Sequence, residues 1–330
     1  MASEFELINS CFLPLSKGLQ ANELGIGDDG AVLNVPANHQ LVVVTDTLVS
    51  GVHFPEETNA YDIAWKALAV NLSDLAAMGA EPGFFSLALT LPNNEQAWLG
   101  EFARGLTAIS EQYSIPLIGG DTTKGHLTVT VTAQGWVEQG KAVRRSGAQC
   151  DDLICVTNTI GDGALGLKVA QNSLPRQVDN ALSAEEKSFL LAALNRPIPQ
   201  LLLSRLLSDY ANSAIDISDG LLADMGHIFE QSTPGLNAEI ELGQIPLSSA
   251  TQKYIDKTQD WTTILTGGDD YQLCFTMLED DFKTMHEKAS KIGVELTVIG
   301  RVIESVSPVL LQDGEVFNQQ GGELKGYLHF

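Results

Sequence analysis

The chain has 330 residues, enough for two domains of ordinary size, and 44% of them are hydrophobic, as expected of a globular protein with real cores. Its 42 acidic and 19 basic residues give a formal net charge of −23, so it should repel nucleic acid, and also phosphorylated metabolites unless divalent cations intervene. No segment approaches the ~20 apolar residues of a membrane span, and the acidic start MASEFELINS is not typical of a signal peptide, so we expect a cytoplasmic protein.

The first part of the sequence alternates predicted strands and helices. Residues 39–47, HQLVVVTDT, carry a β-branched run that predicts a buried strand ending at Asp46. Residues 60–80 have helical spacing and stop at Gly79, a typical C-cap. Next come the strand GFFSLALTL, a helix after PNNEQ, a strand that turns at PLIGGDTTKG, and the alternating strand HLTVTVTAQGWV.

A polar turn from Gly147 to Asp152 precedes a new apolar strand and predicts a domain boundary near residue 147, with domains 1–146 and 147–330. Residues 173–200 are typical of a helical insertion. The segment SAIDISDGLLADMGHIFEQS predicts strand, turn and helix, whereas WTTILTGGDDYQLCFTML predicts a turn between a short apolar run and a strand. GVELTVIGRVIE adds a late strand. The alternation without a regular repeat predicts mixed α/β layers and not a solenoid.

Cysteine spacing excludes two common kinds of site. No CxxC occurs, so neither a zinc site nor a disulfide framework is indicated. Buried reduced thiols are expected instead. The residues concerned are Cys11, Cys150, Cys155 and Cys274.

Aspartates recur beside glycines or hydroxyl residues where predicted strands end or helices begin. A single aspartate in such a place is ordinarily a turn residue or an N-cap. The whole set predicts a site for hard cations such as Mg²⁺, Mn²⁺ or Ca²⁺, and for more than one of them, because unpaired buried carboxylates would protonate. Several Mg²⁺ ions and little else are what phosphoryl transfer requires. The set comprises Asp28, Asp29, Asp46, Asp74, Asp121, Asp216, Asp219, Asp269 and Asp270.

Other motifs leave alternatives open. GDGALG, residues 161–166, matches a dinucleotide fingerprint, but no acidic residue follows at the end of a second strand, which disfavours an NAD site. No Walker-type loop or protein-kinase signature occurs. Arg144 and Arg145 could reach ATP phosphates or be solvated, and Lys124 is a weaker candidate. His53 could face the site of Asp46 or be structural.

Taken together, these motifs resemble those of the thiamine-monophosphate kinase family, within the aminoimidazole-ribonucleotide-synthetase-like superfamily. The matching segments occur in the family's order along nearly the whole chain. The superfamily is indicated by two segments that resemble its motifs, NLSDLAAMGA and GGDTT. The resemblance is narrowed to this kinase family by TDTLVSGVHF, DISDGL and the segment KGYLHF. The other matching segments are GIGDDGAVL, RRSGA and GGDDYQLCFT.

The resemblance implies ATP-dependent phosphorylation of thiamine monophosphate to thiamine diphosphate, with several Mg²⁺ ions for which Mn²⁺ can substitute. It also implies a homodimer joined through N-terminal domain sheets, and an α+β fold of two mixed α/β domains with the active site between them. The implied magnesium ligands are Asp28, Asp29, Thr45, Asp46, Asp74, Asp121, Asp216 and Asp219. The implied ATP contacts are Gly120, Asp121, Arg145 and Ser218, and the implied thiamine-phosphate contacts are His53, Asp269 and Tyr327.

The sequence departs from the family pattern at one turn. The usual GGEDYEL is GGDDYQL here, so Asp269 and Gln272 each replace a glutamate. The shorter carboxylate of Asp269 puts its substrate contact in question. Two alternatives to the kinase stay open: another ATP-using enzyme of the superfamily, and a non-catalytic sensor that binds thiamine phosphates and metal.

Overall fold

The computed structural model of the chain describes residues 11–16, 18–20, 22–26 and 30–317. The described chain divides into two compact units. The first comprises the residues up to Leu75 together with Ala80–Gly140, and the second comprises Ala76–Gly79 and the residues from Lys141 onward. The division after Gly140 precedes residue 147, where the turn chemistry predicts a boundary. Among the described residues, no helix combines the length and apolar character needed to cross a membrane.

The first unit is built on a four-stranded sheet in the order β1-β4-β2-β3. Strands β2 and β3 are parallel and are connected by a helix, whereas β4 pairs antiparallel with both β1 and β2. Strands β1 and β3 are therefore the edges of the sheet. In chain order the elements are β1 (His39–Val49), α1 (Ala60–Ala77), β2 (Glu81–Leu91), α2 (Gln96–Tyr113), β3 (Leu117–Lys124) and β4 (Thr128–Glu138).

Sequence pattern explains how the two helices of this unit are buried. Helix α1 is mainly apolar and is buried along most of its length, including the polar side chains of Lys66 and Asn71. It stops before Gly79, whose positive φ of 72° confirms the predicted C-cap. Helix α2 is amphipathic, and buries Leu99, Phe102 and Leu106 at helical spacing.

Two predictions about the strands of the first unit are wrong. The strand expected to be buried and to end at Asp46 continues to Val49 as β1, and two of its side chains, Leu41 and Val43, are 49% and 54% exposed. The β-branched run therefore belongs to an edge strand with one covered face. Asp121 likewise lies inside β3 and not beyond its end.

The second unit is built on a seven-stranded sheet in the order β11-β10-β7-β9-β5-β8-β6. Within this sheet, β10 and β7 are the only parallel neighbours among the described strands. The strands are β5 (Leu153–Thr157), β6 (Ala211–Asp216), β7 (Leu236–Glu241), β8 (Leu273–Met277), β9 (Leu296–Glu304), β10 (Val309–Gln312) and β11 (Glu315–Val316). The helices are α3 (Asp162–Ala170), α4 (Arg176–Asp179), α5 (Ala184–Asn195), α6 (Ser204–Tyr210), α7 (Leu221–Gln231), α8 (Ser249–Thr258), α9 (Trp261–Thr266) and α10 (Glu279–Lys291).

Both faces of this second sheet carry a hydrophobic core. On β5, Ile154 and Val156 belong to one core, whereas Leu153 and Cys155 belong to the other. A strand covered on both faces reads as a continuous apolar run, which is why β5 was recognisable from sequence. Helices α4 and α5 confirm the predicted helical insertion. Cys155 and Cys274 are buried free thiols, as expected, whereas Cys11 is only half-buried and the expectation of burial is wrong for Cys150, which is exposed.

Candidate active site

The predicted site residues fall into both units, and each unit is described by itself. The first unit holds Thr45, Asp46, His53, Asp74, Gly120 and Asp121. The second holds Arg145, Asp216, Ser218, Asp219 and Asp269. Three further candidates, Asp28, Asp29 and Tyr327, lie outside the described residues.

Strand register puts Asp46 and Asp121 at opposite edges of the first sheet. Asp46 pairs with Val131, which pairs with Leu87, which in turn pairs with Gly120, the neighbour of Asp121. Three strand spacings correspond to roughly 14 Å between the two backbones. Carboxylate oxygens bind Mg²⁺ at about 2.1 Å. The two carboxylates are therefore too widely separated to ligate a single ion together.

The side chain of Thr45 does not lie beside that of Asp46. Consecutive side chains of a strand point to opposite faces of the sheet. Val42 and Leu48 are buried on the face of Asp46. On the other, exposed face the Thr45 hydroxyl donates to Thr132 Oγ1 over 3.0 Å. The neighbouring hydroxyl pair on that face, Thr47 with Thr130, is 2.9 Å apart.

Gly120 and Asp74 each have a clear structural setting. A Cβ atom on Gly120 would lie 1.9 Å from the Leu87 carbonyl oxygen, so only glycine permits the close approach of β2. Asp74 is partly buried on α1 between buried neighbours, as its position between Leu72 and Leu75 predicts. A carboxylate there is held on a rigid helix instead of on a loop.

His53 lies in a tight loop after β1 that is fixed by several hydrogen bonds. Its Nδ1 accepts from the Val49 N–H over 3.0 Å, and its own N–H donates to the Val49 carbonyl. The Nζ of Lys66 donates to the His53 carbonyl over 3.2 Å, although Lys66 is only 2% exposed on α1. Sequence reasoning missed Lys66, whose signal is a lysine between the apolar residues Trp65 and Ala67 of a largely buried helix.

Two glycine-containing turns of the second unit interlock through their backbones. The N–H of Asp269 donates to the Ser218 carbonyl over 2.9 Å, and the N–H of Tyr271 donates to the Ile217 carbonyl over 2.7 Å. A Cβ on Gly268 would lie 2.1 Å from the Ser218 carbonyl oxygen. The structure thus places the backbone of Asp269 next to the segment from Asp216 to Asp219. The short apolar run that precedes this turn in the sequence is the helix α9.

Asp224 on α7, which sequence reasoning missed, organises the first of these turns. Its Oδ2 accepts from the N–H groups of Ser218, Asp219 and Gly220 at 2.8, 2.9 and 3.1 Å. Burial, followed by the negative charge of Asp216, raises the pKa of the Asp224 carboxyl to about 7, against the opposing effect of the backbone donors. The signal in the sequence is an aspartate inside the apolar helix LLADMGHIF.

Asp270 settles how the GDGALG segment is used. Its carboxylate accepts from the N–H of Gly161 over 2.7 Å and from the N–H of Gly163 over 3.0 Å. Those two amide groups are therefore occupied by the protein's own carboxylate, which argues against a dinucleotide phosphate there. Burial raises the pKa of Asp270 to about 8 and outweighs the two donors. The adjacent acids thus differ: Asp270 is internal and Asp269 is partly exposed.

Arg145 is exposed at the edge of the second sheet. The carbonyl of its neighbour Arg144 accepts from the Ala214 N–H of β6 over 2.9 Å. Since β6 ends at Asp216, this backbone bond holds the arginine pair near the strand that leads to the acidic turn. Gln272, which replaces a family glutamate, accepts from Thr157 and Asn158 at 2.8 and 3.0 Å.

The donor groups of both units fit Mg²⁺ in chemistry but do not form a complete protein cage. Within the described residues, no three His, Cys, Asp or Glu side chains are grouped so as to hold a metal ion. Mg²⁺ usually takes only one or two carboxylates and completes its coordination with water and substrate phosphates. The negative charges of Asp216 and Asp219 both act on the buried Asp224, and a bound cation would relieve that repulsion.

Comparison with known proteins gives one consistent result. Residues 27–137 match the family model described as AIR synthase related protein, N-terminal domain. The chain is 44% identical over 328 residues to the thiamine-monophosphate kinase of Escherichia coli K12, covering 99% of this chain and 98% of that protein.

Two solved structures agree with this match. The crystal structure of thiamine-monophosphate kinase from Stenotrophomonas maltophilia K279a is 44% identical, with a TM-score of 0.81, over 90% of this chain and 93% of that one. AaThiL complexed with AMPPCP and TMP is 30% identical, with a TM-score of 0.75, over 99% and 97% of the two chains.

Proposed function

Because the chain belongs to the thiamine-monophosphate kinase family and is a phosphotransferase of that kind, we propose that it transfers the γ-phosphoryl group of ATP directly to thiamine monophosphate. The products are thiamine diphosphate and ADP. The observation that carries this proposal is the 44% identity over 99% of the chain. That extent of identity also favours the kinase over the other ATP-using enzymes of the superfamily and over a non-catalytic sensor.

The acceptor needs no strong general base. The terminal phosphate of thiamine monophosphate is already ionised near neutral pH, because the second pKa of a phosphate monoester is about 6. One of its oxygens attacks the γ-phosphorus in line, the bond from that phosphorus to the bridging oxygen of ADP breaks, and ADP leaves with its negative charge. The protein's task is to position two anions that repel each other.

The carboxylates would hold the cations that make this approach feasible. Bound Mg²⁺, or Mn²⁺ in its place, supplies charge neutralisation between the two phosphate groups. The register of the first sheet supports separate ions for Asp46 and Asp121. Asp74 on α1 would join the ligands of that unit, and Asp28 and Asp29 stay predictions outside the described residues. In the second unit the ligands would be Asp216 and Asp219.

The other predicted contacts divide between donor and acceptor. Gly120 and Arg145 would contact ATP, with Arg145 as an exposed cation in a strongly acidic chain. Ser218, which lies just before the N-terminus of α7, would also contact ATP. On the acceptor side, His53 and Asp269 would contact thiamine monophosphate, and Tyr327 would stack on its cationic thiazolium ring.

We also propose a homodimer formed through the sheet of the first unit. Edge strand β1 exposes Leu41 and Val43 on the face that carries the paired threonines. Val43→Lys should convert the dimer to a monomer in light scattering coupled to size exclusion. Val306→Lys, at a side chain that is 99% exposed, is the control that should leave the mass unchanged.

The proposed location is the cytoplasm.

The decisive assay is ADP release by the purified chain with ATP, Mg²⁺ and thiamine monophosphate. We expect stoichiometric thiamine diphosphate, no product with thiamine in place of its monophosphate, and no turnover after chelation of Mg²⁺. Equal activity with thiamine, or no thiamine diphosphate, would overturn the proposal. Protein labelled covalently by γ-labelled ATP would overturn direct transfer alone.

A further inference from the structure

The segment that carries Arg144 and Arg145 lies along the outer edge of the second sheet. Strand β6 is the terminal strand of that sheet in the described order. The Arg144 carbonyl accepts from the Ala214 N–H of β6 over 2.9 Å. Asp216, at the end of β6, is two residues further along, a strand length of roughly 7 Å. The segment therefore places two cations beside a strand that ends at a proposed magnesium ligand.

Both arginines are exposed and can meet an anion from outside the protein. Among the described residues, no ion pair or side-chain hydrogen bond occupies either guanidinium. Carboxylates are nevertheless abundant, since the chain has 42 acidic and 19 basic residues. In the same unit, Arg301 binds Glu279 over 2.8 Å. Because a guanidinium matches the geometry of a phosphate, the exposed pair is suited to the phosphates of a nucleotide.

Main-chain hydrogen bonds and core packing hold the segment before Arg145. The Val143 N–H donates to the Met78 carbonyl over 3.1 Å, and the Val143 side chain is buried in a core of the second unit. The bond between Arg144 and Ala214 follows directly. These two hydrogen bonds join backbone atoms, so a change of side chain does not remove them.

A side chain holds the segment after Arg145. Ser232, at the C-terminal end of α7, uses its Oγ to accept from the N–H groups of Gly147 and Ala148 at 3.1 and 3.2 Å. A Cβ on Gly147 would lie 2.3 Å from the Asn212 carbonyl oxygen, so the backbone packs closely against the start of β6. The hydroxyl of Ser232 is thus an anchor of this segment that a single substitution can remove.

We infer that Ser232 is a positioning residue for Arg145. By holding the backbone that follows Arg145, its hydroxyl keeps the segment ordered against β6 before the nucleotide arrives. Without that hydroxyl the segment must be ordered at each binding event, and this cost lowers the affinity for ATP. The inference rests on the proposed function, since it takes Arg145 as a contact of the ATP phosphates. It makes Ser232 a determinant of ATP binding and not of acceptor binding.

Kinetics of the full chain test this inference by comparing two KM values. Ser232→Ala removes the acceptor of both N–H groups and should raise the KM for ATP about fivefold. The KM for thiamine monophosphate and kcat should stay within about twofold, because the acceptor site is unchanged. Ser232→Thr keeps the hydroxyl and should restore the KM for ATP. An unchanged KM for ATP in Ser232→Ala, or an equal rise in both KM values, would overturn the inference.

A double-mutant cycle separates positioning of Arg145 from a general loss of stability. Calorimetric titration with a non-hydrolysable ATP analogue and Mg²⁺ gives Kd without acceptor or turnover. Ser232→Ala should raise that Kd about fivefold in the wild-type background and change it by less than about twofold in an Arg145→Ala background. The same rise in both backgrounds would show that Ser232 acts independently of Arg145, and would overturn the inference.

Ser183 provides a matched control. It is the N-cap of α5, and its Oγ accepts from the Glu186 N–H over 3.2 Å in the same unit. Ser183→Ala removes a backbone acceptor of the same kind, so it should lower Tm and leave both KM values and the Kd of the analogue unchanged. An equal rise in the KM for ATP in this variant would count against a specific role of Ser232. Absence of thiamine diphosphate formation by the unmutated chain would overturn the proposed function, whereas the Kd comparison tests Ser232 by itself.

Discussion

The two units carry their acidic side chains in different ways. In the first unit, Asp46, Asp74 and Asp121 lie on regular strands and a helix, whose geometry sets the spacing between carboxylates. In the second, Asp216, Asp219 and Asp269 border two turns whose backbones interlock. Strand register in the first unit keeps Asp46 and Asp121 apart. In the second unit, backbone hydrogen bonds between the two turns bring their acidic residues near one another. The difference shows that similar acidic motifs can be spaced apart by strand register in one unit and brought near one another by packed turns in the other.

The largest expected effect comes from the strand-borne carboxylates. Asp46→Asn and Asp121→Asn should each reduce kcat/KM about 100-fold or more, because in the proposed function each side chain would supply a charged ligand to a Mg²⁺ ion. If the two serve different ions, their Mg²⁺ titration curves should shift differently. Glu57→Gln, at an exposed acid of the same unit, is the control. Near-normal turnover in both variants would contradict the magnesium assignment. The difference in spacing between the two units would then have no role in binding metal.

The turn at Ser218–Gly220 in the second unit should be destabilised when the side chain of Asp224 is removed. Asp224→Ala leaves the N–H groups of Ser218, Asp219 and Gly220 without their shared acceptor, and should lower the free energy of unfolding by about 3 kcal/mol. Asp224→Asn keeps an amide oxygen in place and should cost less than half as much. Urea unfolding measures both. Equal losses would mean that the charge of Asp224, and not its acceptor oxygen, maintains the turn.

A further prediction concerns the pH dependence of stability. The pKa of Asp270 is raised from 3.8 to about 8, so between those values the folded chain retains a proton that the unfolded chain releases. Its contribution to stability therefore falls as pH rises through this window, by at most about 1.4 kcal/mol per pH unit. Asp270→Asn should flatten the dependence of the urea midpoint on pH between 5 and 8.

Asp224, with its pKa near 7, contributes the same sign of pH dependence in the wild-type chain and in the Asp270 variant. The difference between the two curves therefore reports Asp270 alone. Asp280→Asn, at an exposed acid on α10, should run parallel to the wild-type chain. Parallel curves for Asp270→Asn as well would show that Asp270 is ionised in the folded state.

The smallest expected effect is at Thr45. Thr45→Val removes the hydroxyl that bonds to Thr132 on the exposed face and keeps the β-branched shape. Stability should change by less than about 1 kcal/mol, and kcat and the Mg²⁺ dependence should stay within twofold. A tenfold loss of activity would show that this hydroxyl takes part in metal binding despite lying on the face opposite to Asp46.

Much of this arrangement was predictable because it depends on local periodicity. The alternating pattern predicted β4, the continuous apolar run predicted β5, and the cap at Gly79 fixed the end of α1. The same rules were wrong at Asp46 and inside β3, because both residues lie on edge strands where Asp46 stays partly exposed and Asp121 exposed, so the strand can continue without fully burying a charge.

Long-range pairing was not readable from the sequence. Asp270 looks like a turn residue beside Asp269, and nothing local indicates that it binds amides of a segment more than a hundred residues away. Lys66 and Asp224 left weaker signals, as charged residues among the apolar positions of α1 and α7. Such residues reveal their roles only when the fold supplies the partner, because their hydrogen bonds are tertiary.

The bond between Asp270 and the GDGALG segment has a consequence for how the protein folds. Its two donors precede Asp270 by 109 and 107 residues, so the start of α3 has its amides unmatched until that distant carboxylate arrives. Closing so large a loop is entropically slow, and such contacts form late. During synthesis, the glycine segment would leave the ribosome well before its acid partner does. The N-terminal turn of α3 should therefore be among the last parts of the second unit to acquire protection from hydrogen exchange.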